Sequence, residues 1–375
     1  MKEYLAFVLV GLLAISMAGC IGQTKAQTPS QTYITVEDLA GRTVKVPANV
    51  SRIVASGSGA LRLIVYLNAT DKLVGVEDFE KHHRIIGRPY RMAHPELVNL
   101  PSIGKGGPLV EIDYEKVVKL KPDVIFVTYV DARTADNIQE KTGIPVVVLS
   151  YGPRATFELD KIYKSLEVAG KVLGKEERAK EVINYIESIV DDLSKRTENV
   201  EAPKVYVGAV SRRGTHGIES TMLKWPPFLM LHTKNVADEI CGEGWRMVDK
   251  EKILEWNPDV IFIDEGGLGM VLDDYRKNPE FYSSLKAVKN GNVYGTLPFN
   301  FYATNIGTAL ADAYFIGKVL YPERFKDVDP VKKADEIYTF LVGKPVYEDM
   351  AKDWGGFGRI DLDNATVEYS LPTSP

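Results

Sequence analysis

Cysteine is nearly absent from the 375-residue chain, in which Cys20 and Cys241 are the only two. Two cysteines exclude a framework of several disulfides and any zinc or iron–sulfur site that needs four thiolates. Histidine is also scarce, and its five residues are too scattered to favour a multi-histidine centre. Basic residues show no excess, since 46 Lys and Arg stand against 51 Asp and Glu. The net charge of −5 argues against nucleic acid as a partner, because its phosphates require cations.

Long hydrophobic runs are confined to the N-terminus, where Tyr4–Met17 forms an apolar stretch of 14 residues. This stretch is too short for a transmembrane helix and has the length of a signal-peptide core. Small residues then precede Cys20, which resembles a lipoprotein cleavage site. We expect residues 1–19 to be a lipoprotein signal peptide, Cys20 to be lipidated and residues 20–32 to be a flexible tether. The protein would then be anchored to the cell membrane at its outer face.

Two alternatives to lipidation are an ordinary cleaved signal and a short anchor helix. If residues 1–19 are removed and Cys20 carries lipid, Cys241 is the only thiol in the folded part of the chain. A cysteine without a partner is typically a small buried residue, and we expect that of Cys241.

A repeat is the most informative internal feature. Residues 115–127 and residues 251–263 share seven of 13 positions, at an offset of 136 residues. Each copy predicts a short helix, with Val117, Val118 and Leu120 on one side in the first copy. A Pro-Asp turn and a buried apolar strand follow. A repeat at about one domain length predicts two similar α/β lobes.

The pattern of strands and helices divides the chain further. We expect an N-terminal α/β lobe over residues 33–154, linking helices over 155–199, a C-terminal α/β lobe over 200–348 and a less regular C-terminal tail over 349–375. Apolar residues from Ala179 to Leu193 recur every three to four positions, which predicts one helix of about 20 residues. The predicted fold is therefore α/β, with two Rossmann-like lobes of mainly parallel sheets joined by one long helix that limits hinge motion.

Several segments resemble one family as a set. Asp38–Pro47 followed by Arg52-Ile53-Val54, then Asp71–Val76, Leu100–Gly104, Leu120–Asp123 and Val288–Tyr294, are similar to landmarks of the periplasmic binding proteins for ferric siderophores and vitamin B12. The resemblance implies a ligand cleft between two lobes and a partner that is an ABC permease dimer with its ATPase. It also implies that this permease is met through one glutamate on each lobe, and Glu115 and Glu251 occupy the matching positions. The alternative role for each glutamate is to complement the dipole of its helix.

Ligands of doubly wound folds lie beyond the carboxyl ends of the strands. The loops predicted there, with the later stretches near residues 245 and 300, supply the candidate ligand-binding residues Ser58, Tyr129, Arg133, Tyr151, Arg154, Arg212, Arg213, His216, Trp245, Arg246 and Tyr302. Cations beside aromatic faces suit an anionic and partly apolar ligand. The alternative for each arginine is a solvated loop charge, and for His216 a hydrogen-bonded structural role rather than contact with the ligand or its metal.

Catalytic motifs are missing: the chain has no G-x-x-x-x-G-K-[ST], no H-E-x-x-H and no G-x-S-x-G. We therefore expect a binding protein without catalytic residues, intrinsic cofactor or resident metal. The family resemblance implies that its small-molecule cargo is an iron chelate or a corrinoid. Haem and an oxyanion are alternatives within this class. A chelatase-like enzyme on the same scaffold and a surface receptor that feeds a sensor are alternatives outside it.

Overall fold

The computed structural model describes residues 32–107 and 110–368. The expected signal peptide, the lipidation at Cys20 and nearly all of the expected tether lie outside the described residues. The first lobe contains, in chain order, β1 (Tyr33–Glu37), β2 (Thr43–Pro47), β3 (Ile53–Ser56), α1 (Ala60–Tyr66), β4 (Leu73–Gly75), α2 (Asp78–His82), α3 (Pro89–Ala93), α4 (Tyr114–Leu120), β5 (Val124–Thr128), α5 (Ala132–Thr142) and β6 (Val146–Leu149).

The sheet of the first lobe has the strand order β4-β3-β5-β6, and every neighbouring pair is parallel. All residues of β3, β5 and β6 are buried, as expected for strands covered by helices on both faces. The strand order reverses between β3 and β5, so the crevice beyond their carboxyl ends is the place where such a sheet admits a ligand.

Two helices connect the lobes, α6 (Leu159–Leu173) and α7 (Glu176–Thr197). The predicted long helix is α7, with 22 residues, and Ala179, Val182, Ile186 and Leu193 are among its buried residues. This spacing places one apolar stripe against the core, which confirms the prediction from the sequence.

The second lobe begins directly after α7. It contains β7 (Val205–Gly208), β8 (Ser220–Leu223), α8 (Pro226–Leu229), β9 (Gly244–Met247), α9 (Lys250–Trp256), β10 (Val260–Asp264), α10 (Leu268–Lys277), α11 (Pro279–Ser284), α12 (Lys286–Lys289), β11 (Val293–Thr296), α13 (Ile306–Leu320), α14 (Pro330–Val342), α15 (Tyr347–Trp354), β12 (Gly358–Asp361) and β13 (Thr366–Glu368).

The second sheet has the order β7-β10-β11-β12-β13. Strands β7, β10 and β11 are parallel, and β12 and β13 are added in the antiparallel sense. The expectation of an irregular tail is therefore wrong for its described part, because Arg359 pairs with Tyr294 and continues the sheet. Burial alternates along β12, where Gly358 and Ile360 face inward, and a four-residue alternation is too short to be recognised in sequence.

The two repeat copies have the same local structure. Helices α4 and α9 both end in a left-handed residue, Lys121 and Asn257, with φ of 50° and 43°. The carboxylate of Asp123 then accepts the backbone N–H of Arg52, and that of Asp259 accepts the N–H of Lys204. In each lobe this aspartate joins the start of one central strand to the chain just before its neighbour, which explains why the Pro-Asp turn occurs twice.

One hydrophobic core runs through both lobes. It includes Phe126 from the first sheet, Phe262 from the second and the inner faces of α7, α13 and α14. Helix α14 packs against α13 and also against α1 and α3 of the first lobe. The lobes are thus joined by packed side chains as well as by α7, and this restricts movement of one lobe against the other.

Candidate functional site

A cleft of about 560 Å³ opens between the two lobes. One wall is formed by residues 153–159, which lead from β6 to α6, and the other by Arg212 and by residues between 223 and 246 of the second lobe. We call it the interlobe cleft. Its charged lining residues are Arg154, Glu158, Arg212, Lys224, Glu243 and Arg246. Four cations against two carboxylates give the lining a positive balance, which favours an anionic ligand.

Trp245 is fixed by the small antiparallel sheet of β8 and β9, in which it pairs with Met222. Its indole Nε1 donates a hydrogen bond of 2.7 Å to the hydroxyl of Ser220. The guanidinium of Arg212 lies 4.9 Å from the centroid of the Trp245 ring. The cation is therefore held over an aromatic face, with its N–H groups directed by a rigid neighbour.

Arg154 is placed in the same way on the opposite wall. Its guanidinium lies 4.2 Å from the centroid of the Tyr129 ring, which is nearly parallel to the ring of Tyr151. Tyr129 follows β5 with a positive φ of 57°, a conformation that turns the chain away from the sheet. Burial raises the pKa of the Tyr129 hydroxyl, so this ring is neutral beneath the arginine.

The third arginine, Arg246, donates from Nη1 to the carbonyl of Trp245 at 2.8 Å. Within the described part of the chain, none of the guanidinium groups of Arg154, Arg212 and Arg246 forms an ion pair with a carboxylate. Unpaired guanidinium groups in a concave site can form bidentate hydrogen bonds with carboxylate or other oxyanion groups.

Four of the predicted binding residues are thus brought together, since Arg154, Arg212, Trp245 and Arg246 line the interlobe cleft and Tyr129 supports it from behind. Lys224, Glu158 and Glu243 also line it and were not predicted. Lys224 directly precedes Trp225-Pro226-Pro227, whose unusual composition was the available signal in the sequence.

The other predicted binding residues do not line the interlobe cleft. Arg133 and Arg213 are exposed on the surface. Ser58, Tyr151 and Tyr302 are buried within the protein, with Tyr151 wholly inaccessible. His216 lies beside the cleft, 5.4 Å from Trp245 between ring centroids, and its Nε2 is hydrogen-bonded to the carbonyl of Arg212 at 2.9 Å.

The crevice beyond β3 and β5 is filled by the chain itself. Glu77 accepts hydrogen bonds from the Ser56 hydroxyl and the Gly57 N–H, and the hydroxyl of Tyr302 donates to its other oxygen. The N–H of Gly107 donates to the same hydroxyl of Tyr302 at 3.0 Å. The ligand position that strand order alone predicts in the first lobe is therefore occupied, and the open site lies toward α6 and the second lobe.

Arg62 was not predicted to have a role, although it is fully buried on α1. It donates to the carbonyls of Tyr302 and Thr304 at 2.9 and 2.8 Å, and to the side chain of Asn305 at 3.0 Å. An arginine inside an otherwise apolar helix was the available signal, because such a residue must find buried acceptors. Here it ties the first lobe to the loop that precedes α13.

The described residues hold no group of three or more His, Cys, Asp or Glu side chains with the geometry of a metal site. The hydrogen bond that engages His216 Nε2 gives no support to a role in ligating metal. The expectation of a buried Cys241 is wrong, because this residue is exposed in the loop that precedes β9. The next residue, Gly242, has a φ of 111°, which glycine adopts readily in such a loop.

Glu115 and Glu251 are exposed, each in the first turn of its helix, α4 and α9. The repeat therefore places two carboxylates at equivalent points of the two lobes, as the sequence predicted. Among the helices of the described residues, none combines the length and the apolar composition needed to span a membrane.

Comparison with known proteins provides independent evidence about the family and the fold. A family model described as periplasmic binding protein matches residues 53–298. The molybdate-binding protein MolA of Haemophilus influenzae is 29% identical over 330 residues, which cover 81% of this chain and 89% of that protein. The petrobactin-binding protein YclQ of Bacillus subtilis is 25% identical, with 78% of this chain and 90% of that protein covered. A periplasmic solute binding protein from Veillonella parvula superposes with a TM-score of 0.68 at 22% identity, covering 86% of this chain and 97% of that one, so the predicted two-lobed fold is confirmed.

Proposed function

The chain belongs to the periplasmic binding protein family, and we propose that it captures an anionic metal chelate in the interlobe cleft and delivers it to an ABC importer. The petrobactin-binding relative supports a chelate of iron as the cargo. In this account the protein alters no bond of its ligand, and its work is selection and delivery.

The observation that carries the proposal is the set of three guanidinium groups, of Arg154, Arg212 and Arg246, around one cleft without carboxylate partners among the described residues. Arg154 and Arg212 are exposed and Arg246 is half-buried, so all three groups can be reached by an anionic ligand that enters the cleft. Catecholates and citrate bind iron through anionic oxygen atoms, and ferric complexes of these two types carry a net negative charge that the guanidinium groups can bind.

Size separates a chelate from a simple oxyanion. The cleft measures about 560 Å³ and is lined by Leu223, Leu229 and Met230 as well as by the charges. Pockets of about 300–1,000 Å³ with an apolar lining are typical for ligands of drug size. A tetrahedral oxyanion displaces only a few water molecules, of about 30 Å³ each, and would leave this apolar lining unused.

An oxyanion of the molybdate type is the second candidate, since the relative with 29% identity is a molybdate-binding protein. A single small ion would contact the guanidinium groups and leave Leu223, Leu229 and Met230 without a partner, and we therefore rank the chelate first.

Delivery would use the two exposed glutamates. Glu115 and Glu251 lie on corresponding helices of two corresponding lobes, and among the described residues neither forms an ion pair. A partner with two equivalent subunits can therefore bind both with the same arginine chemistry. We propose that lipid on Cys20 holds the protein at the outer face of the membrane, which keeps it close to that permease.

The test is a binding panel. The full-length protein, purified in detergent, is mixed with ferric citrate, a ferric catecholate siderophore, molybdate, cobalamin and haem, and native mass spectrometry and calorimetry record binding. We expect a ferric chelate to bind with a Kd of about 1 μM or lower, which is about −8 kcal/mol. The recovered chelate should be chemically unchanged. Tight binding of molybdate alone would replace the chelate by the oxyanion, and binding of none would overturn the proposal.

A further inference from the structure

Each repeat copy exposes one aliphatic side chain beside its glutamate. Val118 is 44% exposed and Leu254 is 38% exposed, three residues after Glu115 and Glu251. Residues three apart on a helix are neighbours on its surface. Both α4 and α9 therefore present a carboxylate and a group of methyls side by side to the solvent.

The fold does not need these two aliphatic residues. The preceding residues, Val117 and Ile253, are fully buried and supply the contact of each helix with its lobe. The sequence pattern had placed Val118 with Val117 on one side of the helix, and this is wrong, because Val117 is buried and Val118 is exposed. A single exposed aliphatic residue is ordinary, but equivalent exposure in both copies, beside the same carboxylate, indicates a common use.

In both copies the lysine that follows the glutamate is paired with another carboxylate, although the partners differ. Lys116 is 3.3 Å from Asp113, and Lys252 is 2.8 Å from Glu239, so the lysine that follows each glutamate is already paired. Within the described residues Glu115 and Glu251 are left without a cation. We call each glutamate with its aliphatic neighbour a patch. A partner that matches a patch needs a cation beside apolar groups, and an arginine fits because its aliphatic stem can cover the valine or leucine.

The patch on the second lobe has further exposed apolar residues next to it. Met247 and Met270, which are 52% and 46% exposed, line a groove of about 730 Å³ that Glu251 also borders. Of the seven exposed large hydrophobic residues of the described chain, four thus belong to α4, α9 or this groove. Exposed apolar surface gathered at one kind of place is characteristic of a protein-binding surface.

We propose that Val118 and Leu254 are the apolar centres of a two-part docking surface for a permease with two equivalent subunits, and that Met247 and Met270 extend the half on the second lobe. This inference rests on the proposed function, because it names further contacts with the same partner. It requires that docking depends on burial of aliphatic groups and not on the glutamates alone.

The experiment compares Val118→Ser, Leu254→Ser and the double variant with the wild type. Val98→Ser is the matched control, since Val98 is 39% exposed in the first lobe and lies in neither patch. Binding to the permease–ATPase complex whose ATP hydrolysis the wild type stimulates is measured in lipid nanodiscs, with ligand affinity measured in parallel. We expect about threefold to tenfold weaker docking for each single variant and about tenfold to a hundredfold for the double, with ligand affinity unchanged.

A double variant that docks as well as the wild type overturns the inference and leaves the proposed function standing. A wild-type protein that binds its ligand and stimulates no importer overturns the proposed function and this inference with it. Met247→Gln with Met270→Gln provides a second pair of substitutions, and it should weaken docking by about threefold or more without effect on the ligand. Equal loss of docking in Val98→Ser would also contradict the proposal.

Discussion

The hydroxyl of Tyr302 donates a hydrogen bond of 2.5 Å to the buried carboxyl of Glu77, and this contact joins a loop of the second lobe to the first lobe. Burial raises the pKa of Glu77 to about 7, although hydrogen bonds from Tyr302, Gly57 and Ser56 favour its ionised form. A buried carboxyl that titrates near neutrality lies directly beneath the loop at Gly107.

Stability should therefore depend on pH through Glu77. A carboxyl whose pKa rises on folding stabilises the protein below its unfolded pKa of 4.5, and this contribution is lost as pH rises through about 7. We expect the free energy of unfolding of the wild type, compared with Glu77→Gln, to fall by about 2 kcal/mol between pH 5 and pH 8. Urea unfolding of both proteins at each pH measures this difference.

Buried carboxyls that do not interact with Glu77 cancel in this comparison. Asp264, for instance, has a pKa raised by burial to about 6, and it is present in both proteins. Its contribution cancels in the difference between wild type and variant. A difference that stays constant from pH 5 to pH 8 would show that Glu77 titrates normally.

The hydrogen bonds that Arg62 makes between the lobes should contribute strongly to the free energy of unfolding. In Arg62→Met the carbonyls of Tyr302 and Thr304 lose their buried donor while the volume of the side chain is nearly kept. We expect the free energy of unfolding to fall by about 3–5 kcal/mol, because buried acceptors are left unpaired. Arg133→Met, at an exposed position, is the control, and it should change stability by less than about 0.5 kcal/mol.

The large features of the fold could be predicted because they repeat or are periodic. The duplicated segment predicted two lobes, and the stripe from Ala179 to Leu193 predicted α7. The loop before α13 could not be predicted, because Tyr302 and Ala303 adopt positive φ values of 55° and 61° that only the surrounding structure can enforce.

The candidate site also has one part that could be predicted from the sequence and one part that could not. Arg154 and Arg212 could be predicted to lie near the interlobe cleft because each follows a strand, β6 or β7, at its carboxyl end. Ser58 lies in such a loop as well, yet the crevice beside it is filled by Glu77, Gly107 and Tyr302. Tyr302 is 195 positions from Gly107 and 225 from Glu77, and contacts over such separations leave no local pattern in a sequence, so the filled crevice could not be predicted.

Ligand affinity should depend on the arginines of the cleft and not on those outside it. We expect Arg212→Ala and Arg246→Ala each to weaken binding of the cognate chelate by about tenfold to a hundredfold, through loss of a charge-assisted hydrogen bond. Arg213→Ala, at an exposed position beside Arg212, should leave the affinity within about twofold. Calorimetry at two salt concentrations measures both effects, and equal losses in Arg213→Ala and Arg212→Ala would contradict the assignment.

The continuous core predicts a small movement on ligand binding. Spin labels on the exposed residues Lys119 and Glu255, with Cys20 and Cys241 replaced by serine, report the distance between the lobes. We expect the peak of the distance distribution to shift by less than about 3 Å when ligand is added, as for small sliding of packed helices. A shift of about 10 Å would show that the lobes open by a hinge.

Anomalous X-ray diffraction from crystals grown with the cognate ferric chelate, recorded at the iron absorption edge, locates the metal without any assumption about the protein. The account predicts one peak in the interlobe cleft, between Arg154 on one wall and Arg212 and Arg246 on the other. A peak on the outer surface of either lobe, with the cleft empty, would contradict it.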